Sequence, residues 1–216
     1  MIDEKTAKKF EKYMRKYMHL YEKLARIIDD NLPKNKKPVI VDIGVGPGLL
    51  SKSINKITPD STVIGVDPSP SMLNIAKQNA KITAKKGTSE KIPIEDKSAD
   101  AVVTRFTLVY WDDPQKSFKE INRVLKSNGI IVIEALNKEF SRIKLLGIRF
   151  HMILNNSGFN IAKYHIDAYD NAYDLKNVEE LLKNTGFKIT YKEAKEKDWN
   201  FIIVAKKQWN SKDTFK

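Results

Sequence analysis

Residues 39–54 read VIVDIGVGPGLLSKSI. A short apolar run carrying one acid, Asp42, leads into Gly44, Gly46 and Gly48. An apolar pattern with helical spacing follows. Glycine in a regular element costs backbone entropy, so three in alternate positions mark a place where the backbone must turn sharply or be approached closely. Strand, glycine turn and helix together form a backbone cradle at the carboxyl edge of a parallel sheet. The helix N-terminus adds a partial positive charge there.

The residues around this stretch repeat the alternation. Residues 3–31 place apolar side chains at helical spacing (Phe10, Tyr13, Met14, Tyr17, Leu20, Tyr21, Leu24, Ile27, Ile28), which predicts one or two amphipathic helices. Pro33 and Pro38 end them. Strands are predicted at 39–43, 62–67, within 82–88, at 99–106 and at 130–136. Helices are predicted at 47–57, from the proline-serine start at 68 to about 80, and from Asp113 to Leu125, with SNG ending the last at Gly129. Strands alternating with helices predict a parallel sheet in an α/β domain. Residues 138–174 are long and irregular. LKNVEELLKNTG then reads as a helix closed by Gly186, and FKITYKEAK and WNFIIVAKK as an antiparallel hairpin.

Composition bounds the possibilities. The 216 residues, 41% of them hydrophobic, suffice for one well-packed domain. The chain has no cysteine, which excludes disulfides, thiolate metal sites and a cysteine nucleophile. With no apolar run of membrane-spanning length and no leader pattern, a cytoplasmic protein is expected. The net charge is +12. Its lysines alternate with acids, as in KEAKEKD, which reads as a solvated face and not as a nucleic-acid footprint.

The usual glycine cradle, G-x-G-x-x-G, holds a pyrophosphate. The spacing here differs, and Asp42 would repel such a group. An acid at that place suits a cationic one. A second acid, Asp67, ends the second predicted strand, where a carboxylate takes both hydroxyls of a ribose. A ligand with a ribose, a cationic or zwitterionic part and no pyrophosphate is required. S-adenosylmethionine meets that description.

VDIGVGPG (41–48), GVDPSPSMLNIAK (65–77) and the long segment 87–134, with RVLK-x-x-G before its last strand, resemble the class I S-adenosylmethionine-dependent methyltransferases. The likeness is to the broad group that includes the ubiquinone and menaquinone biosynthesis enzymes. It implies a Rossmann-like, doubly wound α/β sheet of seven strands, mostly parallel with the last antiparallel. It also implies a single domain with a helical cap at 1–37, a cofactor core at 38–137, a lid or substrate insert at 138–173 and a closing helix and hairpin at 174–207. The cofactor residues it implies are Asp42, Gly44, Gly46, Gly48, Asp67, Pro68 and Met72. Two places depart from the family pattern. Thr88 and Ser89 stand where an acid often meets the adenine amino group. Tyr110 and Trp111 stand where histidine often follows the fourth strand, so no base is borrowed from there.

Arg105 ends the fourth strand, where ligands bind in such sheets; it is read either as a cofactor or substrate contact or as a surface ion pair. The catalytic candidates are His165, Tyr164, His151 and Arg105. His165 with Asp167 and Asp170 carries too few strong ligands for a metal site, and none is expected. Tyr13, Tyr17 and Trp111 are candidate pocket walls. With Arg105, the basic residues of the insert (Arg142, Lys144, Arg149, Lys163) and its apolar residues point to a small acceptor with an anionic and an apolar part. Methyl transfer from a sulfonium is an in-line displacement that asks mainly for alignment and a dry pocket. A nicotinamide oxidoreductase would require the other glycine spacing. An RNA or protein methyltransferase, or a non-catalytic S-adenosylmethionine-binding module, is the alternative, and TRFTLVYW in place of an NPPY-like motif disfavours base amino-group methylation.

Overall fold

The computed structural model describes residues 4–33, 37–141, 143–147, 168–194 and 198–208. Seven strands form one sheet: β1 (Val39–Ile43), β2 (Thr62–Asp67), β3 (Thr83–Lys86), β4 (Ala99–Arg105), β5 (Leu125–Leu136), β6 (Phe187–Glu193) and β7 (Asn200–Lys207). Their order is β3-β2-β1-β4-β5-β7-β6. Strands β1 to β5 pair in parallel, and β7 runs antiparallel to both β5 and β6. This is the expected doubly wound sheet with its antiparallel last strand.

Alternation along the strands feeds two cores, one on each face. Val41, Ile43, Val102, Ile131 and Ile133 pack with Phe118, Ile121, Val178 and Leu182. The latter four come from α5 (Pro114–Val124) and α6 (Leu175–Asn184). The intervening residues Ile40, Ala101, Val103 and Val132 face Leu24, Ile28, Leu49 and Ile54. Those belong to α2 (Met18–Asn31) and α3 (Leu49–Ile57). Helices on both faces explain why the central strands β1 and β4 are buried along almost their whole length, while the edge strand β3, TAKK, is not.

Local chemistry sets the helix starts. In α4 (Pro70–Asn79) the Ser69 hydroxyl accepts from Met72 N at 3.4 Å, and in α5 the Asp113 carboxylate accepts from Lys116 N at 2.9 Å. Each has proline in its first turn, where the missing N–H costs nothing. In α6 Asp174 accepts from Asn177 N at 2.8 Å. One boundary differs from the sequence reading. The helix before β5 ends at Val124, within one residue of the expected Leu125, but β5 starts at once at Leu125 and not at 130, because Leu125 is already extended and pairs with Ala99. The pairing resumes at Ala101 and Ile130, so SNG is an excursion within the strand, with Asn128 at φ 66°.

The chain passes from β1 outward to β3, then crosses to β4 on the other side of β1. The order reverses between β1 and β4, and the crevice at their carboxyl ends is where such sheets bind ligands. Above it lies α1 (Glu4–Met14), joined to α2 by the 3-10 turn Arg15–Tyr17.

Candidate active site

A cavity of about 640 Å³ opens over this crevice. Asp42, Gly44, Gly46, Asp67, Pro68, Met72, Thr88, Ser89 and Arg105 all line it. The sequence reading therefore brings together residues up to 63 positions apart (42 to 105). Tyr13, Tyr17 and Trp111 line it too. Candidates His151, Tyr164 and His165 lie outside the described residues, as do Arg142, Arg149 and Lys163 of the insert. Among the described residues there is no group of metal-ligating side chains, and no helix is long and apolar enough to cross a membrane.

The glycine turn is built for close approach. Gly44, Gly46 and Gly48 have φ of 66°, 50° and 78°, a region side chains disfavour. Their reasons differ. A Cβ on Gly44 would stand 2.3 Å from the Thr107 methyl, and one on Gly48 would stand 2.9 Å from Ala76 Cα, so these two positions serve packing within the protein. Gly48 accordingly falls outside the cavity wall. A Cβ on Gly46 would meet nothing nearer than the Gly44 carbonyl at 3.9 Å, and it would project where the wall is open. Thr107 is itself held, by a hydroxyl contact with Thr104 and by the Trp111 indole N–H at 3.2 Å.

The two acids flank the turn. Asp67 accepts from Gly46 N at 3.0 Å and Ser69 N at 2.9 Å, which ties the glycine loop to the start of α4. A carboxylate accepts about four hydrogen bonds, so capacity for two hydroxyls remains. Asp42 is buried and accepts from the Ser51 hydroxyl at 2.7 Å. Burial pushes its carboxyl up to about 7, with nearby Asp67 adding to the effect and Ser51 opposing it. Burial also raises Asp67, against its two backbone hydrogen bonds. Arg105 offsets only part of this at Asp42, whose carboxyl still lies well above the ordinary range, so both sites remain receptive to a cation. With the open face of Gly46 and the spare capacity of Asp67, these residues fit S-adenosylmethionine.

Several wall residues escape sequence reasoning. Glu90 follows Thr88 and Ser89 into the wall; against desolvation, hydrogen bonds from its own backbone and from the Thr88, Ser117 and Ser89 hydroxyls hold its carboxyl below the ordinary range. An acid therefore stands two places beyond the expected one. Phe106, near the middle of the chain, and Trp199, near its end, meet with ring centroids 5.2 Å apart, and Tyr169 donates to the Trp199 carbonyl at 3.3 Å. Long-range aromatic pairing of this kind leaves no local pattern.

Arg105 resolves into a third arrangement. It pairs with an acid, but not on the surface: its Nε donates to Glu134 Oε2 at 2.6 Å, and both side chains are buried. Asn200 donates to the other oxygen of Glu134 at 2.6 Å. Burial raises the Glu134 carboxyl while Arg105 opposes it. The guanidinium still lines the cavity and lies 4.1 Å from the Tyr21 ring centroid and 4.3 Å from that of Phe106.

Residues 41–133 match the family model of the methyltransferase domain. A demethylmenaquinone methyltransferase of Chlorobaculum tepidum is 32% identical over 166 residues, 73% of this chain and 68% of the relative. An uncharacterised protein of Methanocaldococcus jannaschii is 30% identical over 188 residues, 87% of this chain and 81% of its own. Among solved structures, one described as an S-adenosylmethionine-dependent methyltransferase of Methanococcus maripaludis superposes with a TM-score of 0.69 at 26% identity, covering 97% of this chain and 95% of that one. The sheet order, the open glycine turn between two acids and these likenesses converge, and the chain belongs to the class I S-adenosylmethionine-dependent methyltransferases.

Proposed function

We propose that the chain methylates a small acceptor with an apolar, ring-like body and an anionic group, held over the β4–β5 side of the crevice. The observation that carries this reading is the polarity of the cavity. Acids Asp42 and Asp67 lie toward β1 and β2, while the far wall is aromatic and apolar, with Phe106, Leu136, Tyr169 and Trp199. The acidic half suits the cofactor: Asp67 for the ribose hydroxyls, Asp42 toward the ammonium, Met72 and the Thr88–Glu90 segment around the adenine. The cofactor supplies the activated methyl group.

The protein's part is to align and to exclude water. Tyr13, Tyr17 and Tyr21 from the cap and Trp199 from the hairpin enclose the far half and lower its dielectric, which favours an anionic nucleophile approaching a sulfonium. Burial raises the Tyr13 hydroxyl far above its ordinary value and brings the Tyr21 hydroxyl up to about 12, so both stay protonated and act as donors toward an acceptor oxygen. The test is incubation with methyl-labelled cofactor and a cell metabolite extract, with demethylmenaquinone, for which the Chlorobaculum relative is named, as a separate arm. Label in a low-mass product identified by mass spectrometry supports the reading. Label confined to RNA or protein overturns it in favour of a macromolecular acceptor.

A further inference from the structure

We infer that Arg105 is the acceptor-anchoring residue, its terminal amino groups binding an oxyanion carried on a flat apolar acceptor. The inference rests on the acceptor reading above and deepens it. Three observations carry it. The first is position. Arg105 ends β4 and Asp67 ends β2, with β1 between them. Two strand spacings make about 10 Å, so the guanidinium stands well away from the ribose acid, over the aromatic half of the cavity.

The second is geometry. Glu134 engages Nε, and its other oxygen is taken by Asn200, so the carboxylate is fixed from two sides. The contact to Glu134 is made through Nε, which leaves the Nη groups uncommitted to that carboxylate, and the Tyr21 hydroxyl accepts a further hydrogen bond from the guanidinium. The guanidinium carbon lies over the Tyr21 and Phe106 rings. A planar fork held along one side against aromatic rings is the form of arginine suited to directed recognition of an oxyanion beside a flat body.

The third is that the arrangement is a poor way to gain stability. A buried ion pair contributes little over apolar residues of the same volume. Phe106 adopts φ 58°, which a bulky residue rarely does, with its N–H bound to the Glu134 carbonyl at 2.7 Å. Backbone outliers of this kind gather at ligand sites. The strained residue is the one that brings a ring to both Arg105 and Trp199.

The test uses two probes of equal shape and different charge, 2-naphthoate and 2-naphthamide. Binding is measured by titration calorimetry on the full chain, free and saturated with S-adenosylhomocysteine. The parent should bind the carboxylate about tenfold more tightly than the amide, since a charge-assisted fork replaces a neutral contact. In the paired variant Arg105→Gln/Glu134→Gln, which leaves no lone buried charge, the ratio should fall to within about twofold, with S-adenosylhomocysteine affinity changed less than about threefold. Arg105→Lys keeps the charge without the fork and should show an intermediate ratio, giving a second reading if the paired variant does not fold. No preference in the parent, or a full preference in whichever variant folds, overturns the inference. Failure of S-adenosylhomocysteine to bind the parent would instead count against the cofactor assignment, and the probe ratio on the free protein would still decide the role of Arg105.

Discussion

Asp42 offers a test in which charge, folding and cofactor binding are linked through one proton. Its carboxyl is raised to about 7 by burial. In the unfolded chain an aspartate titrates near 3.9. The folded state therefore holds this proton more tightly, and the contribution of Asp42 to stability is fully present below about pH 4 and is lost as pH rises toward 7. Three pKa units set an upper bound of about 4 kcal/mol on that loss. Cofactor binding reverses the preference, because an ammonium beside Asp42 favours the carboxylate. If binding lowers the pKa by about two units, S-adenosylhomocysteine affinity rises about five- to eightfold between pH 6 and pH 7.5. At pH 7 about half a proton is released, read by calorimetry in buffers of different ionisation enthalpy. The ligand's own amino group loses its proton at higher pH and produces a separate fall there, well above the rising limb. Asp42→Asn removes the rising limb, keeps the falling one, and should be more stable than the parent at pH 8. A parent profile flat from pH 6 to 7.5, or a rising limb that survives in Asp42→Asn, would refute the reasoning.

Gly44→Ala and Gly46→Val should separate packing from binding. The first drives a methyl into Thr107 and should lower stability by about 2–4 kcal/mol in thermal melts, while the second should abolish S-adenosylhomocysteine binding at a smaller stability cost, of roughly 1–2 kcal/mol; equal losses of both kinds in the two variants would sink that distinction. Asp67→Ala removes a charged acceptor and should weaken S-adenosylhomocysteine by about 1.5–3 kcal/mol in calorimetry, so unchanged affinity would show that the ribose lies elsewhere. Asn79 joins α1 and the turn after it to the glycine turn, donating to Glu11 of α1 at 3.3 Å and to the Pro47 carbonyl at 2.9 Å and accepting from Arg15 at 2.8 Å. Asn79→Ala should speed S-adenosylhomocysteine release by roughly three- to tenfold and amide exchange in α1, each lost bond being worth about 0.5–1.5 kcal/mol; release at the parental rate in stopped flow would mean that α1 does not guard the cavity.

The sheet was legible because its signals are local. β1, β2 and β4 are short, mainly apolar runs, and each of α4 and α5 opens with a capping side chain and a proline within a few residues. Where local signals misled, a long-range contact had overridden them. SNG reads as a break before the fifth strand, yet the pairing of Leu125 with Ala99 starts that strand before the break. That the expected cofactor residues would gather at one cavity was legible for the same reason as the sheet. Asp42, Gly46 and Asp67 sit at the ends of strands whose ends can be read, and topology does the rest.

The acceptor half is assembled differently. Glu134 reads as one more residue in the apolar run of β5, and its meaning comes from Arg105 two strands' worth of sequence earlier and from Asn200 in the closing hairpin. Trp199 gains its role only when β7 inserts between β5 and β6 and carries it beside Phe106. These residues share no spacing, so no motif marks them. The physical consequence bears on specificity. On the proposed assignment, the cofactor subsite rests on backbone N–H groups and glycines fixed by the sheet, whereas the acceptor subsite joins side chains from α2, β4, β5 and the hairpin. A change in any one of those elements would then move the acceptor wall without disturbing the glycine turn. The chemistry would be held constant while the choice of acceptor is left to the parts of the chain that sequence alone reads least well.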